Sequence, residues 1–309
     1  MFTWTETPLV DMWGQLRYLA SSANVYSLLC GKLKSRRKLF FAESEELKLR
    51  SFEIAACIRQ ADEYYRAADS VSIVTQPLLQ FYGAEALAKA VILANIEDKR
   101  LIDLRHHGLN TRPKTAPAVA ETLNAYSNDP HAWVIEHEYA IAHDGVYPQL
   151  CRAVGDATPS NGTVFYLKEL LRVIPDMATR FQRHYSEPSH CFYLSNSLEP
   201  DRDGRLRISF SSRENLEIIK QVFPEFTAQF EATADGFLSR DPIKDLPTFA
   251  ACQEGTVAGR YLIRPLPCGI RESMPIIFAA LFILSNVVRY KPAFWTTVID
   301  GQATGSIAV

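Results

Sequence analysis

Two apolar patterns in the first hundred residues predict a pair of helices. In segment 44–69, apolar residues recur at helical spacing after an opening serine and two glutamates, which favour a helix start. Segment 76–95 carries Pro77 in its first turn and an apolar stripe rich in glycine and alanine, and Asn95 is a plausible C-terminal stop. Because only a short loop joins the two helices, we expect them to pack antiparallel. Their joint core should include Phe52, Ile58, Leu79 and Leu87.

Three later segments also have helical patterns. Segments 116–128 and 162–185 predict helices, and Pro175 should break or kink the second one. The run from Ser273 to about Tyr290 is apolar on all sides, as expected for a helix that is buried on all sides. We therefore expect this last helix to be a central element of the fold.

The pattern changes after His190. Segments 191–198 and 204–211 read as strands, with alternating apolar positions in the second. The sequence thus predicts an α+β fold, predominantly α, in which a helical bundle precedes a smaller α+β region with a β-hairpin and a buried apolar helix. The expected organisation is a helical arm over residues 1–43, a bundle over 44–188 and an α+β region over 189–309, packed on the bundle.

Composition narrows the class of protein. Of 309 residues, 47% are hydrophobic and 22% charged, as in ordinary globular proteins, and the net charge of −2 argues against broad non-specific binding of nucleic acid. The six cysteines are scattered singly, as in a reduced cytoplasmic protein. The most apolar run, Met274 to Leu284, is shorter than the roughly 20 residues that span a bilayer. We therefore expect a cytoplasmic protein without a membrane segment.

Metal and cofactor motifs are not supported by the spacing of candidate residues. His131, His137 and His143 are six residues apart, which turns successive side chains by about 240° on a helix, whereas a helical zinc site needs histidines that share a face. The sequence contains neither a GxSxG nucleophile elbow nor a GxxxxGK or GxGxxG phosphate loop. We expect no metal and no cofactor.

The segment "DKRLIDLRHHGLN" (98–110) combines candidate catalytic residues. On one continuous helix Arg100 and His107 would project in nearly the same direction, and His106 is adjacent. Imidazole exchanges protons near neutral pH and guanidinium holds a phosphate, so these residues could support metal-free attack of a ribose 2′-hydroxyl on its phosphodiester. The alternative interpretation is structural: Gly108 ends a helix, and the basic side chains are favoured there by the helix dipole.

A second group of basic residues is a candidate phosphate-binding site. Residues 32–38 form the densest positive run in the chain, and Arg105 adds a cation beside the histidines. The run is either a solvated linker or a salt-dependent contact with phosphate. The candidate phosphate-binding or nucleic-acid-binding residues are Lys32, Lys34, Arg36, Arg37, Lys38 and Arg105.

Several ordered blocks resemble the YaaC-like protein family of bacteria. They are "SEELKLRSFEIAACIRQADEYYRAA", "QPLLQFYGAEALAKAVILA", "HHGL", "LKELLRVIPDM" and "LFILSNVVRYKPAFW". The resemblance runs from about Trp13 to Trp295. The family has no assigned reaction, so the resemblance implies no mechanism.

Residues 44–110 also resemble the HEPN superfamily of helical bundles in the order and character of their segments. Active HEPN ribonucleases carry an arginine followed after four to six residues by a histidine, and two copies form the cleft. The resemblance implies that Arg100 with His106 or His107 fills these positions. Leu101 stands where a polar residue commonly follows the arginine, and the histidine runs into Gly108, as in binding-type members.

These observations leave three functions open. The leading hypothesis is a non-enzymatic, regulatory protein that associates with itself or a protein partner, because no firm catalytic motif is found and small residues line the helix from Gly83 to Ala90. The first alternative is a metal-independent endoribonuclease that acts on RNA as a toxin or antiphage effector. The second is a sensor of nucleotides or nucleic acid that uses residues 32–38.

Overall fold

The computed structural model describes most of the chain. The described residues are 8–35, 45–111, 134–195, 198, 200–211, 214–243, 245–255 and 259–301. Within these ranges helices predominate and the strands form small antiparallel sheets, so the predicted α+β, predominantly α class is confirmed. The helix predicted over 116–128 lies outside the described residues.

The first part of the fold is helical. It contains α1 (Pro8–Tyr18), α2 (Ser22–Ser35), α3 (Glu45–Ser70) and α4 (Gln76–Asn95). Helix α4 ends at Asn95, as predicted. Arg50, near the start of α3, contacts the end of α4, whereas Tyr65, near the end of α3, meets Gly83 close to the start of α4. The two helices are therefore antiparallel, which confirms the predicted packing.

The predicted core of this pair is correct only in part. Ile58 is buried, and Leu79 and Leu87 are half-buried, but Phe52 is 56% exposed. Its assignment to the core was wrong because α3 buries the face that carries Ile54 and Ile58. Phe52 is two residues from Ile54, and two residues turn a helix by about 200°, so its side chain lies on the opposite face.

The small residues of α4 allow close contact within the chain. A Cβ atom on Gly83 would lie 2.7 Å from the ring of Tyr65 in α3, closer than atoms can approach without displacement. Ala86, Ala88 and Ala90 are also buried. This stripe is therefore used for packing inside the protein.

A three-stranded antiparallel sheet follows, with further helices around it. The strands are β1 (Leu109–Asn110), β2 (Tyr139–Ala142) and β3 (Val164–Tyr166), in the order β1-β2-β3. The helices are α5 (Val146–Ala153), α6 (Leu167–Arg172) and α7 (Ala178–Tyr185). The helix predicted over 162–185 is thus wrong at its start, where β3 forms, but its break near Pro175 is confirmed by the short 3₁₀ turn Pro175–Met177.

The remaining elements build two more antiparallel sheets and two terminal helices. The sheets have the orders β4-β9-β8 and β5-β7-β6. In chain order the elements are β4 (Cys191–Tyr193), β5 (Arg207–Ser209), α8 (Leu216–Val222), α9 (Phe226–Gln229), β6 (Phe230–Ala232), β7 (Gly236–Ser239), β8 (Ala251–Glu254), β9 (Arg260–Ile263), α10 (Ser273–Tyr290) and α11 (Pro292–Ile299). Hairpins join β6 to β7 and β8 to β9. Strands β4 and β5 belong to different sheets, but the predicted hairpin segments that carry them pair antiparallel through bridges at Leu194–Phe210 and Pro200–Leu206.

The apolar helix α10 is buried against α4. Phe278 and Phe282 both pack edge-on against Phe81, with ring centroids 5.5 Å apart in each pair. By length and composition alone α10 could cross a membrane, but half of it is buried inside the protein. Burial of Phe278, Phe282 and Val287 confirms the predicted central helix. A separate core, rich in phenylalanine, joins the two later sheets, with Phe192 from β4, Phe226 from α9 and Phe237 from β7.

Candidate functional site

The segment with the candidate catalytic residues does not continue helix α4. The helix ends at Asn95, and Arg50 donates hydrogen bonds to the terminal carbonyl oxygens of Leu93, at 3.2 Å, and Ile96, at 2.9 Å. After this end, only Leu101–Asp103 form one 3₁₀ turn. The condition under which Arg100 and His107 would project in the same direction, one continuous helix, is therefore not met.

Arg100 is bound to a carboxylate of α3. Its Nε and Nη2 atoms lie 3.2 Å and 3.0 Å from the two carboxylate oxygens of Glu53. The hydrogen bond to Glu53 raises the pKa of Arg100. In this bidentate ion pair the guanidinium uses the same two N–H donors with which it would bind a phosphate. A phosphate ligand would have to compete with Glu53 for Arg100.

His107 is bound to a buried carboxylate of α4. Its Nδ1 atom lies 3.0 Å from Oε1 of Glu85, and Nζ of Lys89 lies 2.9 Å from the same oxygen. Burial acts to raise the pKa of Glu85, but the hydrogen bond and charge of His107, followed by those of Lys89, lower it overall. The carboxylate orients the imidazole through Nδ1, so Nε2 is the ring nitrogen outside this contact.

The backbone around His107 is fixed against α5. The first amides of α5, those of Val146 and Tyr147, donate to the carbonyl oxygens of His106 and His107 at 2.8 Å and 2.9 Å. Gly108 has a φ of +77°, and a Cβ atom there would lie 2.6 Å from the amide nitrogen of Tyr147. Only glycine fits this backbone and this close approach. Gly108 therefore allows the segment to pack against the start of α5 and does not end a helix.

The other predicted site residues are more peripheral. His106 and Arg105 are exposed, and Nε of Arg105 donates to the carbonyl oxygen of Ile102 at 3.0 Å. Nζ of Lys32 donates to the carbonyl oxygen of Ala94 at 3.0 Å and to Oδ1 of Asn95 at 2.6 Å, so this lysine caps the end of α4. The Lys34 side chain, Arg36, Arg37 and Lys38 lie outside the described residues. The phosphate-binding role of this cluster stays a prediction.

Sequence reasoning missed the two glutamates that hold the segment. Glu85 and Lys89 have the i, i+4 spacing of an ordinary surface ion pair, which gave no sign that Glu85 is buried. Glu53 lies 47 positions from Arg100, so no local pattern connects them. The spacing of Glu85 and Lys89 was the only sequence signal for this arrangement.

A cleft of about 700 Å³ lies on another part of the molecule. One wall is the turn Pro175–Met177 with the start of α7, and the other is formed by β4, β9 and the start of α8. Gln182, Ser189, Tyr193 and Tyr261 line it. Clefts of roughly 300–1,000 Å³ are typical of small-molecule sites. Nothing in the sequence pattern pointed to this cleft.

Glu214 is the one charged residue among the described residues that line the cleft. Its Oε1 atom accepts a hydrogen bond from the amide of Tyr193 at 2.9 Å. Burial raises the pKa of Glu214, and the bond from Tyr193 offsets part of this effect. Helix α8 then begins, with the Asn215 side chain accepting a bond from the amide of Glu217.

Metal ligands are not clustered in the described part of the chain. No group of three or more histidine, cysteine, aspartate and glutamate side chains could hold a metal ion there. His131 lies outside the described residues.

Comparison with known proteins identifies the family but no reaction. Searches of curated proteins and of solved structures gave no match. The model of the YaaC-like protein family matches residues 17–308, which is nearly the whole chain and includes both the Arg100–His107 segment and the cleft. The chain therefore belongs to the YaaC-like protein family.

Proposed function

We propose that this protein is a regulatory ligand-binding protein whose ligand occupies the cleft between α7 and the β4-β9-β8 sheet. The observation that carries the proposal is the cleft itself, which combines a volume of about 700 Å³ with the side chains of Glu214, Tyr193 and Tyr261. Small-molecule sites typically combine aromatic walls with a few polar groups that fix orientation.

The arrangement of the Arg100–His107 segment supports binding over catalysis. Arg100 and His107 are each held by a glutamate of the same chain, and Gly108 fixes the backbone beside them. The stripe from Gly83 to Ala90, which favoured self-association, is used inside the fold. A regulatory role through the cleft needs neither a catalytic centre nor that stripe.

Methyl NMR with a mixed library of small fragments tests the proposal. The library includes cationic, anionic and neutral members. At least one fragment should shift the methyl signals of Ala178 and Ile218, which line the cleft, and leave those of Ile54 and Ala55, in the core of α3, unchanged. Filling the cleft with Thr179→Trp should remove these shifts. A library in which no fragment moves the Ala178 and Ile218 signals contradicts the proposal.

A metal-independent endoribonuclease is the second candidate, favoured by the contact between Glu85 and His107 and by the HEPN resemblance. In this mechanism Nε2 of His107 takes the proton of a ribose 2′-hydroxyl, whose oxygen then attacks the adjacent phosphorus. The 5′-oxygen leaves with a proton from water, and a 2′,3′-cyclic phosphate remains. Glu85 holds the imidazole in place.

An RNA-cleavage assay in the presence of a chelator tests this second candidate. Purified protein should cleave single-stranded RNA, His107→Ala should abolish cleavage, and Glu85→Gln should reduce it at least tenfold. His106→Ala is the control variant. His106 is exposed, and the histidine that contacts Glu85 is His107. Absence of chelator-resistant cleavage, or full activity of His107→Ala, excludes the candidate.

A further inference from the structure

We infer that the cleft binds a small organic cation, an amine or amidinium group attached to an apolar body, with Glu214 as its counter-charge and Tyr193 and Tyr261 as its aromatic wall. The inference rests on the proposed ligand-binding function and adds the chemical class of the ligand.

The charge of the cleft is the first argument. Glu214 is the one formally charged side chain among its described lining residues, and the other polar groups there, such as those of Gln182, Ser189 and Asn215, are neutral. A half-buried carboxylate without a cation is a costly arrangement that a bound cation would relieve. An anionic ligand would meet Glu214 with no positive side chain from the described lining to offset the repulsion.

The hydrogen bonds of Glu214 are the second argument. Its Oε1 atom accepts a hydrogen bond from the Tyr193 amide, which fixes the position of the carboxylate. Among the described residues, none donates a hydrogen bond to the Oε2 atom of Glu214. An ammonium or amidinium group carries N–H donors suited to such an oxygen.

The surroundings of the cleft reinforce its negative character. The charges of Asp176 and Glu214 both act on Tyr261, whose pKa is raised by burial first and then by its charged and polar neighbours. Two arginines near this region are already paired: Arg172 with Glu187, and Arg264 with Glu225. The two carboxylates that act on Tyr261 therefore favour a positive ligand over a negative one at this wall.

The tyrosines provide the third argument. The rings of Tyr193 and Tyr261 lie 5.4 Å apart and nearly perpendicular, and both residues line the cleft. A cation near an aromatic face is attracted by the ring electrons. Phe192 and Ile218 supply apolar surface for the body of the ligand.

Three probes of one shape and different charge test the inference. Benzamidine, benzamide and benzoate share a ring and differ in charge, and their affinities are measured by NMR titration on the Ala178 and Ile218 methyl groups. Benzamidine should bind wild-type protein at least tenfold more tightly than benzamide, and benzoate should bind most weakly.

Glu214→Gln, which preserves the side-chain shape, should weaken the binding of benzamidine at least tenfold and leave the affinity for benzamide within twofold of wild type. Glu217→Gln is the control, because Glu217 lies three residues after Glu214, is exposed on α8 and is paired with Lys220.

The outcomes separate this inference from the proposed function. If benzamide or benzoate binds the cleft as tightly as benzamidine, the cation inference fails and the ligand-binding function stands. If no fragment of any charge binds, both fail.

Arg213 precedes Glu214 and lies outside the described residues, so Arg213→Ala is titrated as well. A preference for benzamidine that appears only in Arg213→Ala would show that Glu214 serves the chain's own arginine, and would overturn the inference.

Discussion

The Nδ1 atom of His107 lies 3.0 Å from the Oε1 atom of Glu85, and this contact ties the segment after α4 back to α4 itself. Arg100 makes the equivalent connection to α3 through Glu53. One carboxylate from each helix of the antiparallel pair thus holds the segment in place. Its basic side chains are components of the fold, whatever further chemistry His107 performs.

Glu85→Gln should destabilise the protein at neutral pH by about 1–3 kcal/mol, the usual cost of disturbing a buried polar contact. The pKa of Glu85 is lowered from its ordinary 4.5, so its ionic stabilisation is fully present above that pH and is lost as the pH falls through the folded-state value. Urea unfolding at pH 7 and pH 3.5 should therefore show a smaller difference between variant and wild type at the lower pH.

The matched control for this prediction is Glu45→Gln. Glu45 also pairs with a lysine on its own helix, but its side chain is 88% exposed. Such surface pairs contribute about 0–1 kcal/mol. Equal losses of unfolding free energy in the two variants would show that the Glu85 contact is not important for stability.

Gly108→Ala should be much more destabilising than Gly155→Ala. Both glycines have a left-handed backbone, with φ of +77° and +76°, so both variants incur the conformational cost of about 1 kcal/mol. Only at Gly108 would the new Cβ atom meet backbone, 2.6 Å from the Tyr147 nitrogen, which adds roughly 1–3 kcal/mol. Chemical denaturation of the two variants measures the difference. Similar stabilities would contradict the tight docking of the segment on α5.

Gly83→Ala and Gly31→Ala should change stability in opposite directions. Both glycines are helical, and alanine is favoured in helices by up to about 1 kcal/mol. At Gly31 no atom lies within 4 Å of the added Cβ, whereas at Gly83 the Tyr65 ring lies 2.7 Å away, so a loss of about 1–3 kcal/mol is expected there.

Tryptophan fluorescence gives a second measurement on Gly83→Ala. The Trp13 ring lies 5.3 Å from Tyr65, so displacement of Tyr65 should change the Trp13 emission as well. If Gly83→Ala unfolded with a higher free energy than wild type, the interface between α3 and α4 would accommodate the added Cβ atom without loss of packing, and the prediction would be wrong.

His190 should make the protein sensitive to acid. Burial lowers its pKa from 6.5 to about 4, the charges of Arg172 and Arg264 act in the same direction, and Glu187 opposes them. The unfolded chain therefore takes up a proton at a higher pH than the folded one, and stability is lost as the pH falls from 6.5 to about 4. The loss amounts to about 3 kcal/mol at most.

A His190→Gln variant removes this proton uptake. Its unfolding free energy should fall less steeply than that of wild type between pH 7 and pH 4.5, as measured by urea titration at each pH. Identical slopes for the two proteins would contradict a buried, neutral His190.

Long apolar patterns were predicted best from the sequence. The bounds of α10 and the end of α4 agree with expectation because many side chains in each segment indicate the same element. The strand Val164–Tyr166 was missed because it has three residues and its partner β2 lies elsewhere in the sequence. Propensity alone could not distinguish it from the start of the following helix.

The site was harder to predict because it depends on tertiary contacts. The residue types at Arg100 and His107 suggested acid–base chemistry, but their orientation depends on Glu53 and Glu85, which are 47 and 22 positions away. A continuous helix through Arg100 and His107 does not form, because only Leu101–Asp103 make one 3₁₀ turn there. The cleft around Glu214 brings together four separate segments, so no local pattern could reveal it.

The packing of Phe81 against Phe278 has a consequence for how the protein is made. The two residues are 197 positions apart, so the ribosome releases α4 long before its partner α10. At a translation rate of roughly 5–20 residues per second, α10 is synthesised about 10–40 s after α4, and the apolar face of α4 lacks this partner until then. During translation this face is open to chaperones and to aggregation, and a chain terminated before α10 would keep it exposed. Expression of nested C-terminal truncations should therefore show an abrupt loss of soluble protein once α10 is removed.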